Sequence, residues 1–331
     1  MGWTSGLEAD LTEWLLEPGN PSVRYYTLKD ILGLEENDPE VKEARTAIME
    51  SEIVKALLKA KKPEGYWGAE DNFYLPKYTA TTHQLLILAE LGALRTAEIE
   101  RAIEHVYRFQ RNSGHFLTKL PKTEKGKDSI VKDGCCIDGN ILYYLVHFGY
   151  LEDPRTKKLL EFTYDYYDWK DKGWKCRAYP INPDHVFPDN CYMGATKVLK
   201  AFSSIPKQKR STKMKKIIAL EIETILENKV YRYLKNPDDT RKEKAGWKRF
   251  GFPLFYQADV LEVLDTLTRL DVRDERMHDA IVLVREAQQT DGKWLLKNTY
   301  NGKFTKDIEV KHKPSKWVTL RAMRVLKKWK M

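Results

Sequence analysis

Most long segments of the chain carry apolar residues at helical spacing rather than in strand-like alternation. Apolar side chains recur at i, i+3, i+4 and i+7 in five clear stretches. These stretches are residues 53–60, 83–94, 141–151, 260–270 and 280–288. No convincing pair of alternating segments flanks a hairpin turn. The pattern predicts an all-α protein.

The predicted helices come in pairs, and the pairs repeat. In each unit a charged amphipathic helix ends in a turn of glycine and an aromatic residue, and a loop leads to a more apolar helix. The units pair residues 52–60 with 79–92, 99–110 with 136–150, 156–169 with 190–206, 215–234 with 256–270, and 276–288 with 315–329. Such a repeat predicts helical hairpins that stack around a shared core.

We therefore expect one domain spanning residues 1–331, in which 1–37 form an N-terminal helical hairpin or cap. Five or six hairpins can close into a ring with amphipathic helices outside and apolar helices inside. An open solenoid satisfies the same local rules, so spacing does not decide between the two. Thr79, Asn190 and Ser315 are the predicted N-caps of inner helices.

Composition narrows the function classes. The chain has 331 residues with 42% hydrophobic and 32% charged side chains, an ordinary globular balance. No apolar run is long enough to span a membrane, and the N-terminus lacks a signal-peptide pattern, so we expect a cytoplasmic protein. The net charge is +9 without a nucleic-acid-binding motif, so no nucleic-acid partner is expected, whereas peripheral membrane contact stays open.

The glycine–aromatic turns carry a family resemblance. Residues 110–116 (QRNSGHF) and 289–294 (QTDGKW) resemble the Gln-Gly-Trp repeat of squalene-hopene cyclases, and 65–67 (GYW) and 173–174 (GW) are degenerate copies. Over about residues 40–331 the chain resembles the terpenoid cyclase and protein prenyltransferase superfamily. The resemblance implies a closed (α/α)6 toroid with a central cavity that acts on or binds an isoprenoid or other hydrophobic small molecule.

In a closed ring the N-termini of the inner helices share one end, which would form a polar and aromatic rim above an apolar bore. The predicted ligand-binding residues are Tyr78, Asn140, Trp174, Tyr256 and Trp317. The alternative is that these side chains are caps and core residues of a filled barrel.

Catalytic candidates are few. Type II terpene cyclases protonate an alkene with an Asp-x-Asp-Asp motif, and this chain has no such tetrad. Asp138 and Asp189 are the substitutes placed best, although either can instead cap its inner helix. His83 is a third candidate, with a satisfied core histidine as its alternative. The missing tetrad argues against ordinary squalene-hopene cyclisation.

A second hypothesis is a zinc–thiolate enzyme, and a third is a binding or scaffold protein without catalysis. Residues 173–176 (GWKC) and 191–194 (CYMG) are similar to the zinc motifs of lanthionine synthetase cyclases, although Tyr192 stands where that pattern has His. The predicted ligand set is Cys136, Cys176, Cys191 and His185. The competing interpretation is that the cysteines are small buried core residues.

Overall fold

The computed structural model describes residues 11–129, 134–177, 186–234, 241–243 and 246–330. Its elements confirm an all-α body. The helices are α1 (Thr12–Leu15), α2 (Pro21–Tyr26), α3 (Pro39–Glu50), α4 (Glu52–Lys59), α5 (Thr81–Glu90), α6 (Ala97–Tyr107), α7 (Glu124–Lys127), α8 (Cys135–His147), α9 (Pro154–Asp165), α10 (Tyr192–Ser204), α11 (Thr212–Glu227), α12 (Val260–Arg269), α13 (His278–Glu286) and α14 (Lys316–Lys330). A π-helical segment (Thr27–Ile31) continues α2, and short 3₁₀ turns span Lys207–Lys209 and Glu275–Met277.

Two short strand pairs interrupt this helical plan. Strands β1 (Lys175–Arg177) and β2 (Val186–Asn190) pair antiparallel between α9 and α10. Strands β3 (Arg232–Leu234) and β4 (Arg241–Glu243) do the same between α11 and α12. The sequence pattern did not predict them, because strands of three to five residues are too short to show clear alternation.

The helix starts are set by side-chain caps. Asp38, Ser51, Thr96, Asp153, Ser211 and Asp259 each accept a backbone N–H from the first turn of the following helix. Ser315 caps α14 as predicted, since its Oγ accepts the N–H of Val318 at 3.0 Å.

Two predicted caps are wrong. Helix α5 begins after Ala80, so Thr79 lies one position too early to cap it. Asn190 instead donates through Nδ2 to the carbonyls of Asp171 and Lys172 at 2.8 and 2.7 Å. The cap of α10 is Cys191, whose Sγ accepts the N–H of Gly194 at 3.3 Å.

The inner helices form a closed ring. Helices α5, α8, α10, α12 and α14 pack each against the next, and the outer helices α6, α9, α11 and α13 each pack on the inner helix that precedes them. Helix α14 then packs on α2 and its π-helical continuation, which contact α3 in turn. The architecture is the predicted α/α toroid, with α2 in the position between the last and first inner helices.

The glycine–tryptophan turns play the same structural role in three of the repeats. The indole N–H groups of Trp67, Trp174 and Trp294 donate to backbone carbonyls of α4, α9 and α13 at 2.8, 2.8 and 2.7 Å. All three rings are buried. Each turn is thereby fixed to the outer helix before it. Trp174, predicted to bind ligand, is such a structural residue instead.

A second set of hydrogen bonds ties each turn to the inner helix that follows. The backbone N–H groups of Trp67 and Trp294 donate to Thr81 Oγ1 and Thr319 Oγ1 at 3.0 and 3.1 Å. In the second repeat the N–H of Phe116 donates to Asp138 Oδ1 at 3.2 Å. Asp138 therefore takes the role that Thr81 and Thr319 have in the other repeats. This supports the structural alternative for Asp138 over a catalytic one.

Candidate functional site

The end of the ring where the inner helices begin is lined by aromatic side chains, which we call the aromatic mouth. It comprises Tyr74, Tyr78, His83, Phe255, Tyr256, Tyr300 and Phe304. The rings of Tyr78 and Tyr300 stack with centroids 4.1 Å apart and planes 20° apart. Tyr74, Tyr256, Tyr300 and Phe304 are half-buried, so part of each ring faces outward. Two of the predicted ligand-binding residues, Tyr78 and Tyr256, lie here.

Tyr78 is held in a conformation that side chains avoid. Its φ is 73°, in the left-handed region, which costs a non-glycine residue about 1–3 kcal/mol. The amide of Gln84 donates to the carbonyl of Tyr78 at 3.0 Å and fixes this backbone. Residues strained in this way cluster at functional sites, which makes Tyr78 a candidate for ligand contact.

Asn140 connects the mouth to the inner ring. Its Nδ2 donates to the carbonyl of Phe255 at 3.0 Å, so α8 fixes the 250–258 loop that carries Phe255 and Tyr256. The cavity behind these residues has a volume of only about 20 Å³. Asn140 lies next to the mouth, but its amide group is used in the hydrogen bond to the Phe255 carbonyl.

His83 is buried in the mouth and uncharged. Burial, reinforced by the charge of Lys77, lowers the pKa of its imidazole to about 3. Its ring lies 4.7 Å from that of Tyr74 and 5.1 Å from that of Phe255. A histidine with this pKa is neutral at physiological pH and far from the range suited to general acid–base catalysis. The geometry favours its role as a core side chain.

Three thiols lie where α8 and α10 begin. Cys135, Cys136 and Cys191 are all reduced. A Cβ on Gly194 would lie 2.0 Å from Cys135 Sγ and 3.3 Å from Cys191 Sγ, so both sulfurs pack against this glycine. Burial, and then the neighbouring Cys191, raise the pKa of the Cys136 thiol to about 12. Cys136 and Cys191 are therefore neighbours, and Cys136 is a protonated thiol in this environment.

The other predicted metal ligands are not all placed. His185 lies outside the described residues, as do the side chains of Cys176 and Asp189. Within the described part of the chain, no three histidine, cysteine or acidic side chains are arranged to hold a metal ion. The zinc hypothesis thus keeps two neighbouring thiols and stays a prediction.

The centre of the ring is charged, which overturns the expected apolar bore. Lys197 Nζ donates to Glu262 Oε2 at 2.6 Å, and both side chains are almost fully buried. Lys200 Nζ pairs with Glu262 Oε1 at 3.1 Å and also with Glu90. Ion pairs therefore join α5, α10 and α12 across the centre of the ring.

Helix α14 completes this central network. Arg321 Nη2 donates to Glu90 Oε2 at 2.9 Å. Arg324 Nη1 donates to both carboxylate oxygens of Asp265 at 2.6 and 2.8 Å, and its Nη2 pairs with Asp30 Oδ2 at 2.7 Å. Burial alone would raise the pKa of Glu90, but Lys200 and Arg321 lower it to about 2. The Glu90 carboxyl is therefore ionised at neutral pH.

Trp317 belongs to this centre rather than to the mouth. Its ring stacks on that of Phe252 with centroids 4.1 Å apart and planes 7° apart, and it is only 3% exposed. The prediction that Trp317 lies at the rim is therefore wrong. It lies one helical turn before Arg321 on α14 and faces the network.

The charged centre could have been predicted from pairs of charged residues that lie three positions apart on the inner helices. Lys197 and Lys200 on α10, Glu262 and Asp265 on α12, and Arg321 and Arg324 on α14 each lie on one helix face. A charge on the face of an otherwise apolar inner helix needs a buried partner. Three such faces with complementary signs indicate a shared ion-pair centre.

These features define the protein as an α/α toroid with an aromatic mouth and a charged centre. No family model matches the chain, and no curated protein is similar to it. Among solved structures, an inactive variant of an alpha-1,6-mannanase from Salegentibacter is 11% identical, with 100% of this chain and 99% of that one covered and a TM-score of 0.48.

Two further structures are similar. The cellobiose 2-epimerase from Bacillus thermoamylovorans is 14% identical, with 77% of this chain and 74% of that one covered and a TM-score of 0.46. The type II terpene cyclase MstE from Scytonema is 14% identical, with 87% and 97% covered and a TM-score of 0.33. At such identities and scores these similarities carry no argument about the activity of this chain. No helix in the described residues is long and apolar enough to cross a membrane.

Proposed function

We propose that the protein binds an isoprenoid or another small molecule with a flat, apolar part at the aromatic mouth. The observation that carries the proposal is the strained Tyr78, stacked on Tyr300 and surrounded by half-buried rings. Exposed aromatic faces gain free energy when a ligand covers them, because apolar area leaves water.

The ligand lies at the mouth in this proposal and not inside the bore. Cavities for drug-sized ligands have volumes of about 300–1,000 Å³. The cavities in the mouth and at the centre have about 20 and 40 Å³. An isoprenoid chain therefore has no room among the inner helices, and only its end can enter.

Lys77 adds a polar contact at the edge of the same surface. Its Nζ lies 6.0 Å from the ring centroid of Tyr74 and 5.7 Å from that of Tyr256. A cation above aromatic faces suits a ligand that joins an apolar body to a polar or anionic head. The proposal is one of binding, and it assigns no reaction to the mouth.

Titration calorimetry with farnesol as the probe tests this proposal, with cellobiose as the comparison for a sugar that stacks on aromatic rings. We expect farnesol to bind, and Tyr300→Ala to weaken it roughly ten-fold through lost stacking area. Tyr166→Ala is the matched control, because that tyrosine is exposed on the outer surface. Binding of cellobiose alone, or farnesol binding that survives Tyr300→Ala, would contradict the proposal.

The zinc–thiolate enzyme is the second candidate, favoured by the neighbouring thiols of Cys136 and Cys191. Metal analysis of the purified chain tests it. About one zinc per chain, lost in Cys136→Ser and Cys191→Ser with the fold intact by circular dichroism, would support it. The hypothesis would be rejected if the purified chain contained no metal and an alkylating reagent modified its four cysteines only after unfolding.

A further inference from the structure

A small cavity lies at the centre of the ring, on the far side of the inner helices from the aromatic mouth. Its volume is about 40 Å³, enough for roughly three water-sized groups. Its lining includes Tyr26, Glu90, Lys200, Trp317, Arg321 and Arg324. The lining continues to Ser203 and Ser204, which are half-buried, and to Arg269, whose side chain is 40% exposed. The cavity thus has a path to the surface beside the ends of α10 and α12.

Buried hydrogen-bond donors without a partner surround this cavity. Arg321 Nη1, Arg324 Nε and Trp317 Nε1 have no acceptor among the residues that the structure describes. These residues are 5%, 8% and 3% exposed. Buried donors are almost always satisfied in proteins, because leaving one unpaired costs the full desolvation penalty of the group. All three lie on α14, at positions i, i+4 and i+7.

Positive charge exceeds negative charge along the cavity wall. Four cations line it, namely Lys200, Arg269, Arg321 and Arg324, against three carboxylates, namely Glu90, Glu262 and Asp265. Behind the wall, Lys197 pairs with Glu262 and Asp30 pairs with Arg324, so these two charges cancel.

One further carboxylate lies nearby. Asp259 Oδ1 and Oδ2 accept the backbone N–H groups of Glu262 and Gly251, each at 2.8 Å, and the residue does not line the cavity. The residues that line the wall thus carry one cation more than carboxylates, and the carboxyl of Asp259 lies behind the wall on the side of Arg321.

We propose that the central cavity binds a small oxoanion, either a carboxylate or a phosphate group, through the α14 side chains Trp317, Arg321 and Arg324. The guanidinium and indole N–H groups supply donors and no acceptors, which suits an anion and disfavours a cationic guest. The site is separate from the aromatic mouth, and its failure or success leaves the function proposed there untouched.

The size of the cavity limits the ligand. An oxoanion group fits the buried part, and any larger body attached to it would have to extend past Ser203 and Ser204 toward Arg269. We therefore expect small anions to bind on their own.

The experiment compares the melting temperature of the full chain in sodium acetate, sodium phosphate and sodium chloride at equal ionic strength and pH 7.5. We expect acetate, phosphate or both to raise the melting temperature in a saturable way that chloride does not match. A response to acetate alone identifies a carboxylate ligand, and a response to phosphate alone identifies a phosphate group. Identical curves in all three salts would overturn the proposal.

Trp317→Phe is the informative variant, because it keeps an aromatic ring beside Phe252 and removes the indole N–H together with the second ring of the indole. We expect it to fold and to bind the responding anion at least roughly ten-fold more weakly, as a lost hydrogen bond to a charged group implies. Trp294→Phe is the matched control, since that indole donates to Val284 and neither residue lines the cavity. Its stability should fall while its anion affinity is unchanged. Unchanged affinity in Trp317→Phe would overturn the proposal.

Discussion

Arg321 on the last inner helix donates through Nη2 to Glu90 Oε2 on α5 at 2.9 Å, although 231 positions of sequence separate the two residues. The pair lies at the centre of the ring, where both side chains are at most 6% exposed. It joins the two ends of the repeat through a charged contact. The ring is therefore closed around a polar network and not around an apolar bore.

Removal of the Glu90 charge should strongly destabilise the fold. In Glu90→Gln, Lys200 and Arg321 would lose the carboxylate they share, and breaking a buried pair on one side costs about 3–5 kcal/mol. Denaturant unfolding followed by circular dichroism measures the loss. Glu152→Gln is the control, because Glu152 makes only exposed ion pairs with Lys157 and Lys209 and its removal should barely change stability. Equal effects of the two substitutions would contradict the central network.

Close packing of α8 on α10 should depend on Gly194. A methyl group there would lie 2.0 Å from Cys135 Sγ, so Gly194→Ala should destabilise the fold by about 1–3 kcal/mol. Adding Cys135→Ala removes the obstructing sulfur and should restore part of this loss, which a double-mutant cycle by chemical denaturation would show. Gly19→Ala, with no atom within 4 Å of its added Cβ, is the neutral control. A strictly additive double variant would argue against this contact.

Glu221 on α11 should make stability fall as pH rises. Burial raises the pKa of its carboxyl to about 7, despite the Tyr167 hydroxyl beside it. A raised native pKa means that the folded state binds more protons, so stability is lost between roughly pH 4.5 and pH 7. Glu221→Gln should remove this loss and be more stable than the parent at pH 8 by on the order of 1–3 kcal/mol, with little difference at pH 5.

The neighbouring Glu223 provides the control for this pH dependence. Its ion pair with Arg276 lowers its pKa, so Glu223→Gln should not raise stability at pH 8. Unfolding curves at both pH values check the comparison. Parallel pH dependence of stability in the parent and in Glu221→Gln would show that Glu221 has no raised pKa in the fold.

Cys136 should react slowly with alkylating reagents in the folded protein. Its pKa of about 12 leaves little thiolate at pH 8, and thiolate is the reactive species. We expect iodoacetamide to modify Cys136 at least ~100-fold more slowly in the native chain than in denaturant, as followed by mass spectrometry of the peptide. Rapid native alkylation would instead indicate a stabilised thiolate at the start of α8.

The ring could be predicted from the sequence because each hairpin repeats the same local signals. The helical period of apolar residues located inner helices α5, α8 and α12, and the hairpin repeat with its glycine–aromatic turns located α10 and α14. Trp67, Trp174 and Trp294 indeed make the same indole hydrogen bond in three repeats. These signals are local, since each depends on residues within one hairpin.

The character of the centre could not be derived by the same means. Whether Lys197 or Arg321 faces solvent or a buried carboxylate depends on how helices far apart in sequence are oriented about the ring axis. The apolar pattern places their helices in the interior of the ring. It does not predict which of the charged residues on those helices are buried. The loops that fill the mouth were missed for a similar reason, because Tyr300 and Phe304 lie in a segment without regular structure.

A double-mutant cycle between Glu90 and Arg321 tests the closed, charge-paired ring most directly. Glu90→Gln, Arg321→Met and the double variant would be compared by denaturant unfolding of the full chain. We predict a coupling free energy of at least about 1.5 kcal/mol, as found for close buried charge pairs. Additivity within about 0.5 kcal/mol would contradict the account, because two residues that do not touch do not couple.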